Sequence, residues 1–453
     1  MPRPQAYHPD PAILSLGNTF FDPVDAAAFP QTRLRFANRR AAATVGLKLD
    51  EAGWIRHFGR FEPLPDNLPQ PLALRYHGHQ FRHYNPDIGD GRGFLFAQLR
   101  DHAGRLLDLG TKGSGQTPYS RFGDGRLTLK GGVREVLASE MLEALGVNTS
   151  KSFALIETGE ELQRNDEPSP TRSAVLTRLS HGHIRIGSFQ RLAFVEDADG
   201  IAALVSYCLR QLFDEASDDP VRLFELVAAR TAQLAASYLA AGFVHGVLNS
   251  DNINITGESF DYGPWRFAPT WDEQFVAAYF DHGGLYGFGR QPEAIHWDLA
   301  QLGSCLAMIA EGPALDAILN DWPARFEEAL VAALVRRLGV EADAANDRAL
   351  VSAMLAVLRQ QAVTIDRFFF DWRGGRVPDG GDVTLAGLLK GRSPLPNALA
   401  HDYWRQNEPC SMAIDEVEAI WAAIAEADDW APFEAKVAAI RRMGKAHQGS
   451  GDA

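Results

Sequence analysis

Residues 245–263 read HGVLNSDNINITGESFDYG, and the interpretation of the whole chain turns on them. Asp251 and Asp261, ten residues apart, stand with Asn249 and Asn252 among short apolar runs. Oxygen donors at that density suit Mg²⁺, which prefers carboxylate and amide oxygens. One acid can orient a hydroxyl nucleophile while the asparagine and the second acid hold metal on phosphates. That is the division of labour in phosphoryl-transfer sites. An Asn/Asp turn before a hairpin is the plainer alternative, disfavoured by how closely the apolar runs flank the polar residues.

Upstream the chain is rich in strand patterns. Residues 94–99 (FLFAQL) and 106–112 (LLDLGTK) predict strands joined by a turn, and 152–157 and 173–179 predict two more. Val133, Leu137, Met141 and Leu145 share one face of a predicted helix that Gly146 closes. Lys112 ends an apolar strand, where an ammonium is costly unless it meets an anion. Glu135 on the following helix is one partner for it, and Glu140, further along, competes. Gly89-Asp90-Gly91-Arg92-Gly93 precedes a strand, and its glycines let backbone N–H groups approach phosphate oxygens. A simple hairpin turn is the bland reading of that pentapeptide. Asp124-Gly125-Arg126 repeats the Asp-Gly-Arg of residues 90–92. Arg178 and Arg185 straddle the expected junction, where guanidinium forks favour phosphate.

Downstream, helices are expected over 201–213, 221–241, 298–312, 324–338, 347–361, 413–427 and 432–443, with the polar strand–loop section 243–290 among them. Residues 1–55 read as an arm, Pro-rich at first and helical around Arg33–Leu47. The fold class is α+β, with a mixed β/α first lobe over 56–186 and a mainly helical second lobe over 187–453. A cleft between the lobes is the expected place for a small-molecule site.

Composition narrows the function classes. The 453 residues carry a formal net charge of −14, which argues against nucleic acid or anionic membrane as a partner. No run approaches the roughly 20 apolar residues of a membrane span. The N-terminus lacks a signal-peptide pattern, so the mature protein is expected to be the whole chain, in the cytoplasm. Cys208, Cys305 and Cys410 are too few and too scattered for a disulfide framework. His77, His79 and His83 lack the Cys or HExxH context of a zinc site and read as hydrogen-bonding side chains. Neither a GxxxxGK[ST] loop nor a GxSxG elbow occurs.

Several long segments resemble the selenoprotein O family of atypical kinase-like proteins. They are YHGHQFRHYNPDIGDGRG (76–93), TKGSGQTPYSRFGDGR (111–126), GGVREVLASEMLEALGV (131–147), SHGHIRIGSFQ (180–190) and HGVLNSDNINITGESFDYGPWRF (245–267). TFFDPVDAAAFPQTRLRFAN (19–38) fits the family's N-terminal arm. The resemblance implies a protein-kinase-like bilobal fold and transfer of AMP from ATP to protein hydroxyls, with pyrophosphate released and the nucleotide bound inverted relative to ordinary kinases. UMP transfer from UTP has also been ascribed to bacterial members. It further implies that Gly89, Gly91, Arg92, Lys112, Asp124, Gly125, Arg178 and Arg185 contact the nucleotide, and that Lys112 pairs with Glu135. Asp251 would accept the proton, and Asn252 and Asp261 would hold Mg²⁺, or Mn²⁺ in its place. The competing functions are a kinase moving the γ-phosphate and a non-catalytic nucleotide-binding scaffold. Many family members carry a regulatory cysteine or selenocysteine near the C-terminus. The segment RRMGKAHQGSGDA has none, so redox control of that kind is not expected here.

Overall fold

The computed structural model describes residues 6–165 and 167–449. In chain order its elements begin with β1 (Phe21–Pro23), β2 (Arg33–Ala37), α1 (Arg39–Thr44), α2 (Glu51–Phe58), β3 (Leu72–Leu74), β4 (Gly78–Gln80) and β5 (His83–Asn85). The central strands and helices follow: β6 (Leu95–Arg100), β7 (Leu106–Lys112), β8 (Leu127–Thr128), α3 (Leu129–Ala144), β9 (Lys151–Leu162) and β10 (Thr171–Ser180). Then come α4 (Ile186–Phe194), α5 (Ala198–Tyr207), α6 (Pro220–Ala241), β11 (Phe243–Val244), β12 (Arg266–Phe267) and α7 (Gln291–Leu306). The chain continues through α8 (Gly312–Leu338), α9 (Asp347–Leu358), α10 (Ile365–Asp371), α11 (Val383–Leu389), α12 (Ile414–Ala427) and α13 (Ala431–Gln448). The fold is mixed α/β.

One antiparallel sheet runs in the order β1-β3-β6-β7-β10-β9-β2, with β8 added on β10. Every residue of β7 is buried, because helix α3 covers one face and the aromatic cluster of Trp54, Phe58, Phe96 and Phe153 covers the other. Helix α6 is the hub of the remaining helices. Asp219 caps its N-terminus, Pro220 opens it and Gly242, at φ 72°, closes it, so the local signals agree with the bounds of this mostly buried 22-residue helix. It packs against α7 and α8.

Several expectations need correction. Arg33–Leu47 is not one helix: Arg33–Ala37 is a strand paired with β9, and only Arg39–Thr44 is helical. Leu34 and Phe36 alternate with Arg35, whose guanidinium bonds Glu157 across the pair at 2.6 Å, a period-two pattern. The helix expected at 298–312 begins at Gln291, with Pro292 in its first turn, and stops at Leu306. That expected at 324–338 begins twelve residues earlier, at Gly312, and continues through Pro323. That at 201–213 ends as α-helix at Tyr207 and widens into a π turn over Cys208–Leu212. Helices α2, α4, α10 and α11 had no counterpart in the sequence reading.

Cys208 and Cys305 are buried, Cys410 is half-buried, and all three are free thiols. No helix among the described residues is long and apolar enough to cross a membrane. The first five residues of the arm and the last four of the cysteine-free tail lie outside the described residues.

Candidate active site

The register of the sheet places Lys112 at the end of β7 opposite Leu176 of β10, two residues before Arg178. Its ammonium touches the carboxylate of Glu135, from the second turn of α3, and lies 3.0 Å from Asp261 Oδ1. Glu140 is turned away and bonds Arg441 at 2.6 Å. The Arg178 guanidinium is 3.3 Å from Asp261 Oδ1 and 3.9 Å from Glu135 Oε2. Arg185, only 2 % exposed, donates to the Asp251 carbonyl at 3.0 Å. It also lies 3.7 Å from Asp261 Oδ2 and 3.5 Å from Asp90 Oδ1. Its guanidinium stacks on Tyr76 at 4.1 Å and faces Phe260 at 4.9 Å. Three buried cations therefore converge on one carboxylate. Partial burial opposes ionisation of Asp261, but Lys112, Arg178 and Arg185 outweigh it and hold this acid well below the usual carboxylate range. Asp261 also has φ 57°, a left-handed conformation unusual outside glycine and often found where a site imposes strain.

Asp251 lies in a 3₁₀ turn, Ser250–Asn252, gripped from several sides. The N–H of His79 donates to Ser250 Oγ at 2.7 Å, and Ser250 Oγ donates to Gln190 Oε1. The N–H of Phe81 and the Tyr286 hydroxyl donate to Asn249 Oδ1 at 3.0 and 2.6 Å. The β4–β5 hairpin is thereby fastened to the turn. Asp251 Oδ1 itself is buried with no hydrogen-bond partner. Burial pushes its carboxyl up to about 7; Arg185 pulls it down and the charge on Asp261 adds to the rise. The two acids thus differ sharply, one firmly ionised and one poised near neutrality, as acid–base sites require.

Gly89, Gly91, Arg92, Lys112, Asp124, Gly125, Arg178, Arg185, Asp251 and Asp261 line one cavity of about 700 Å³. The loop through Asp124 folds back on the glycine-rich one: Thr117 donates to the Asp90 carbonyl and Ser120 to that of Gly91. Gly125, at φ 69°, sits so near Gly115 that a Cβ would come within 2.3 Å of its carbonyl carbon. The Asp124 carboxylate is engaged by Arg164 at 2.8 Å. Asn252 is not among the lining residues; its amide donates to the Val247 carbonyl at 2.9 Å, which leaves Oδ1 as its available donor to a cation. Among the described residues no cluster of three or more His, Cys, Asp or Glu is placed to hold a metal. His77 and His79 bond Tyr84 and Gln190. Sequence reasoning missed Tyr76, Phe260, Gln190 and Arg164. Tyr76, Gln190 and Phe260 fell inside quoted motifs and Arg164 did not, and no local signal marks a stacking partner.

Comparison with known proteins places these features in an enzyme class. The model of the family described as protein adenylyltransferase SelO matches residues 5–379. A relative from a Synechocystis species, named protein nucleotidyltransferase YdiU, is 43 % identical over 94 % of this chain and 96 % of its own. Proteins of the same name from Gloeobacter violaceus and Cereibacter sphaeroides are 41 and 34 % identical, covering 96 and 92 % of this chain and 95 and 89 % of theirs. The chain belongs to the protein adenylyltransferase SelO family, and it is a nucleotidyltransferase.

Proposed function

We propose that this enzyme transfers AMP from ATP to Ser, Thr or Tyr hydroxyls of proteins and releases pyrophosphate. The observation that carries the reading is the separation of charge within one cavity. Asp251, buried with its Oδ1 unpartnered, stands on one side, Lys112 and Arg178 gather around Asp261 on the other, and Arg185 bridges the two acids. Asp251 takes the hydroxyl proton, and the freed oxygen attacks the α-phosphorus. The bond from that phosphorus to the α–β bridging oxygen breaks, and pyrophosphate departs toward the cations, which stabilise the charge it gains. Glu135 keeps the Lys112 ammonium in place while the phosphates change. An arrangement with the α-phosphate toward Asp251 is the inverted nucleotide implied by the family resemblance. UTP would enter the same site if UMP is the group moved.

The donor set fits a hard divalent cation, Mg²⁺ or Mn²⁺: the Asp261 carboxylate, the free Oδ1 of Asn252 and the unpartnered oxygen of Asp251 are all oxygen ligands. Asn252 and Asp261 would hold the ion, which keeps waters and takes phosphate oxygens where protein ligands are few. Bound there, it would neutralise developing phosphate charge. The architecture behind the reading is a kinase-like bilobal fold, with an arm over 1–55, a first lobe over 56–186 and a helical second lobe over 187–453. A cavity bounded both by the sheet residues Lys112 and Arg178 and by the loop residues Asp251 and Asp261 supports that division.

The test is incubation with a protein acceptor and ATP labelled at either the α or the γ position. Label should reach protein from α-labelled ATP alone, with pyrophosphate released. Transfer from the γ position alone would make the enzyme a kinase, and binding without any transfer would make it a scaffold.

A further inference from the structure

A second cavity, of about 1160 Å³, is larger than the first. Among the described residues none lines both, but the same chain segments serve the two. Arg178 and Arg185 face the first, while His181, between them in sequence, lines the second. Along the loop that carries Asp251 and Asp261, Thr256 and Gly257 line the second cavity.

Its lining runs against the charge of the chain, which is −14 overall. Arg100, Arg105, Arg210, Arg230, Arg325 and Arg336 line it, against the acids Asp214 and Glu328. Four of these arginines are engaged already, by Asp10, Asp101, Asp218 and Asp321 at 2.7–2.8 Å. Among the described residues, the guanidinium groups of Arg230 and Arg336 have neither a hydrogen-bond partner nor a carboxylate within ion-pair distance. They come from α6 and α8, which pack side by side. The amides of Asn148 and Gln233 add polar donors, and Phe213, Leu234 and Ala333 supply an apolar wall.

Unengaged guanidinium forks pair well with phosphate oxygens. The stretch of α6 from Ala229 to Ser237 lines the trough for about 12 Å at the helical rise. That is room for more than one phosphate together with an organic group against the apolar wall. Asp214 and Glu328 disfavour a ligand that is anionic at every edge, but they can accept from hydroxyl or amino groups. We propose that this cavity is a second binding site, separate from the catalytic cleft, for an organic polyphosphate of nucleotide size.

The test is a binding measurement and is independent of which group the enzyme transfers. Calorimetric titration of the full chain with ADP should resolve two binding events. Arg230→Gln with Arg336→Gln should weaken one of them about tenfold or more and leave the other unchanged. Persistence of that other event also reports that the double variant is folded. Lys112→Ala should weaken only the event the double variant spares. Inorganic tripolyphosphate should bind the second site more weakly than ADP does. A single ADP event indifferent to the arginine pair would overturn the proposal. So would an acidic peptide that binds through Arg230 and Arg336 where ADP does not, which would make the trough a docking groove for protein. Tripolyphosphate binding there as tightly as ADP would overturn the assignment of an organic ligand.

Discussion

Lys112 and Glu135 form a buried contact within a larger charge network, with Asp261 also 3.0 Å from the ammonium and Arg178 3.9 Å from the carboxylate. Lys112→Ala and Glu135→Gln should each weaken ATP binding, Lys112→Ala more, and a double-mutant cycle should return a coupling on the order of 1–3 kcal/mol. Simple additivity would remove the pair from the account. The two acids should separate in the same assay. Asp251→Asn should keep Mg·ATP binding while transfer falls about a hundredfold or more. Asp261→Asn should lose the metal dependence of binding, and it should bind metal-free ATP at least as well as the parent, because three cations are released from their carboxylate. Titration with and without Mg²⁺ decides between these outcomes. Residues of this kind were legible in the sequence because charge inside apolar runs demands a reason. The choice between Glu135 and Glu140 was not legible. It depends on Arg441, 301 residues from Glu140 along the chain, claiming that acid.

Helix α4 brings its first turn against the active-site turn. A Cβ on Gly187 would sit 2.1 Å from the His77 carbonyl oxygen and 3.5 Å from the Asp251 Cα. Gly187→Ala should therefore cost about 1–3 kcal/mol in urea unfolding and depress transfer as well, since the His77 backbone, which leads into the hairpin fastened to the Asp251 turn, must move. Gly387 offers the contrast: it is exposed inside α11 with nothing within 4 Å of a Cβ. Gly387→Ala should stabilise by about 0.5–1 kcal/mol through helix propensity alone. At this scale the sequence spoke clearly where pattern and packing agree: the expected strand 106–112 coincides with β7. It misled where one residue type carries two meanings. Pro323 reads as a helix breaker, yet α8 runs through it. Helix α10 gave no such pattern to read: its Phe368-Phe369-Phe370 run has the β-propensity of a strand, and the Thr364 cap with burial of Phe368 and Phe369 beside α8 and α9 makes it helical.

Glu258 ties local titration to the stability of the whole molecule. Burial pushes its carboxyl from 4.5 up to about 7, with Lys151 and the His181 N–H offsetting part of the rise. The folded state thus holds the proton more tightly than the unfolded chain. Its contribution is fully present below about pH 4.5 and is lost as pH rises through about 7. Glu258→Gln, which can still accept from His181, should raise stability at pH 8 on the order of 1–3 kcal/mol and bring almost no gain at pH 5. Thermal unfolding at both values checks the sign. A net charge of −14 argues against nucleic acid or anionic membrane as a partner, but it hides two cationic cavities, because a sum over the chain says nothing about where charges meet.

Helix α13 packs on α3, with Gly444 against Ala144 and Arg441 on Glu140, so the helix that supplies Glu135 is braced by a residue 301 positions beyond Glu140. On a ribosome adding about 5–20 residues per second, the brace arrives some 15–60 s after α3 has been made. Throughout that interval the nascent chain lacks the support that holds its nucleotide site in shape. The nucleotide site should therefore reach its final shape only once α13 has been made and has docked on α3.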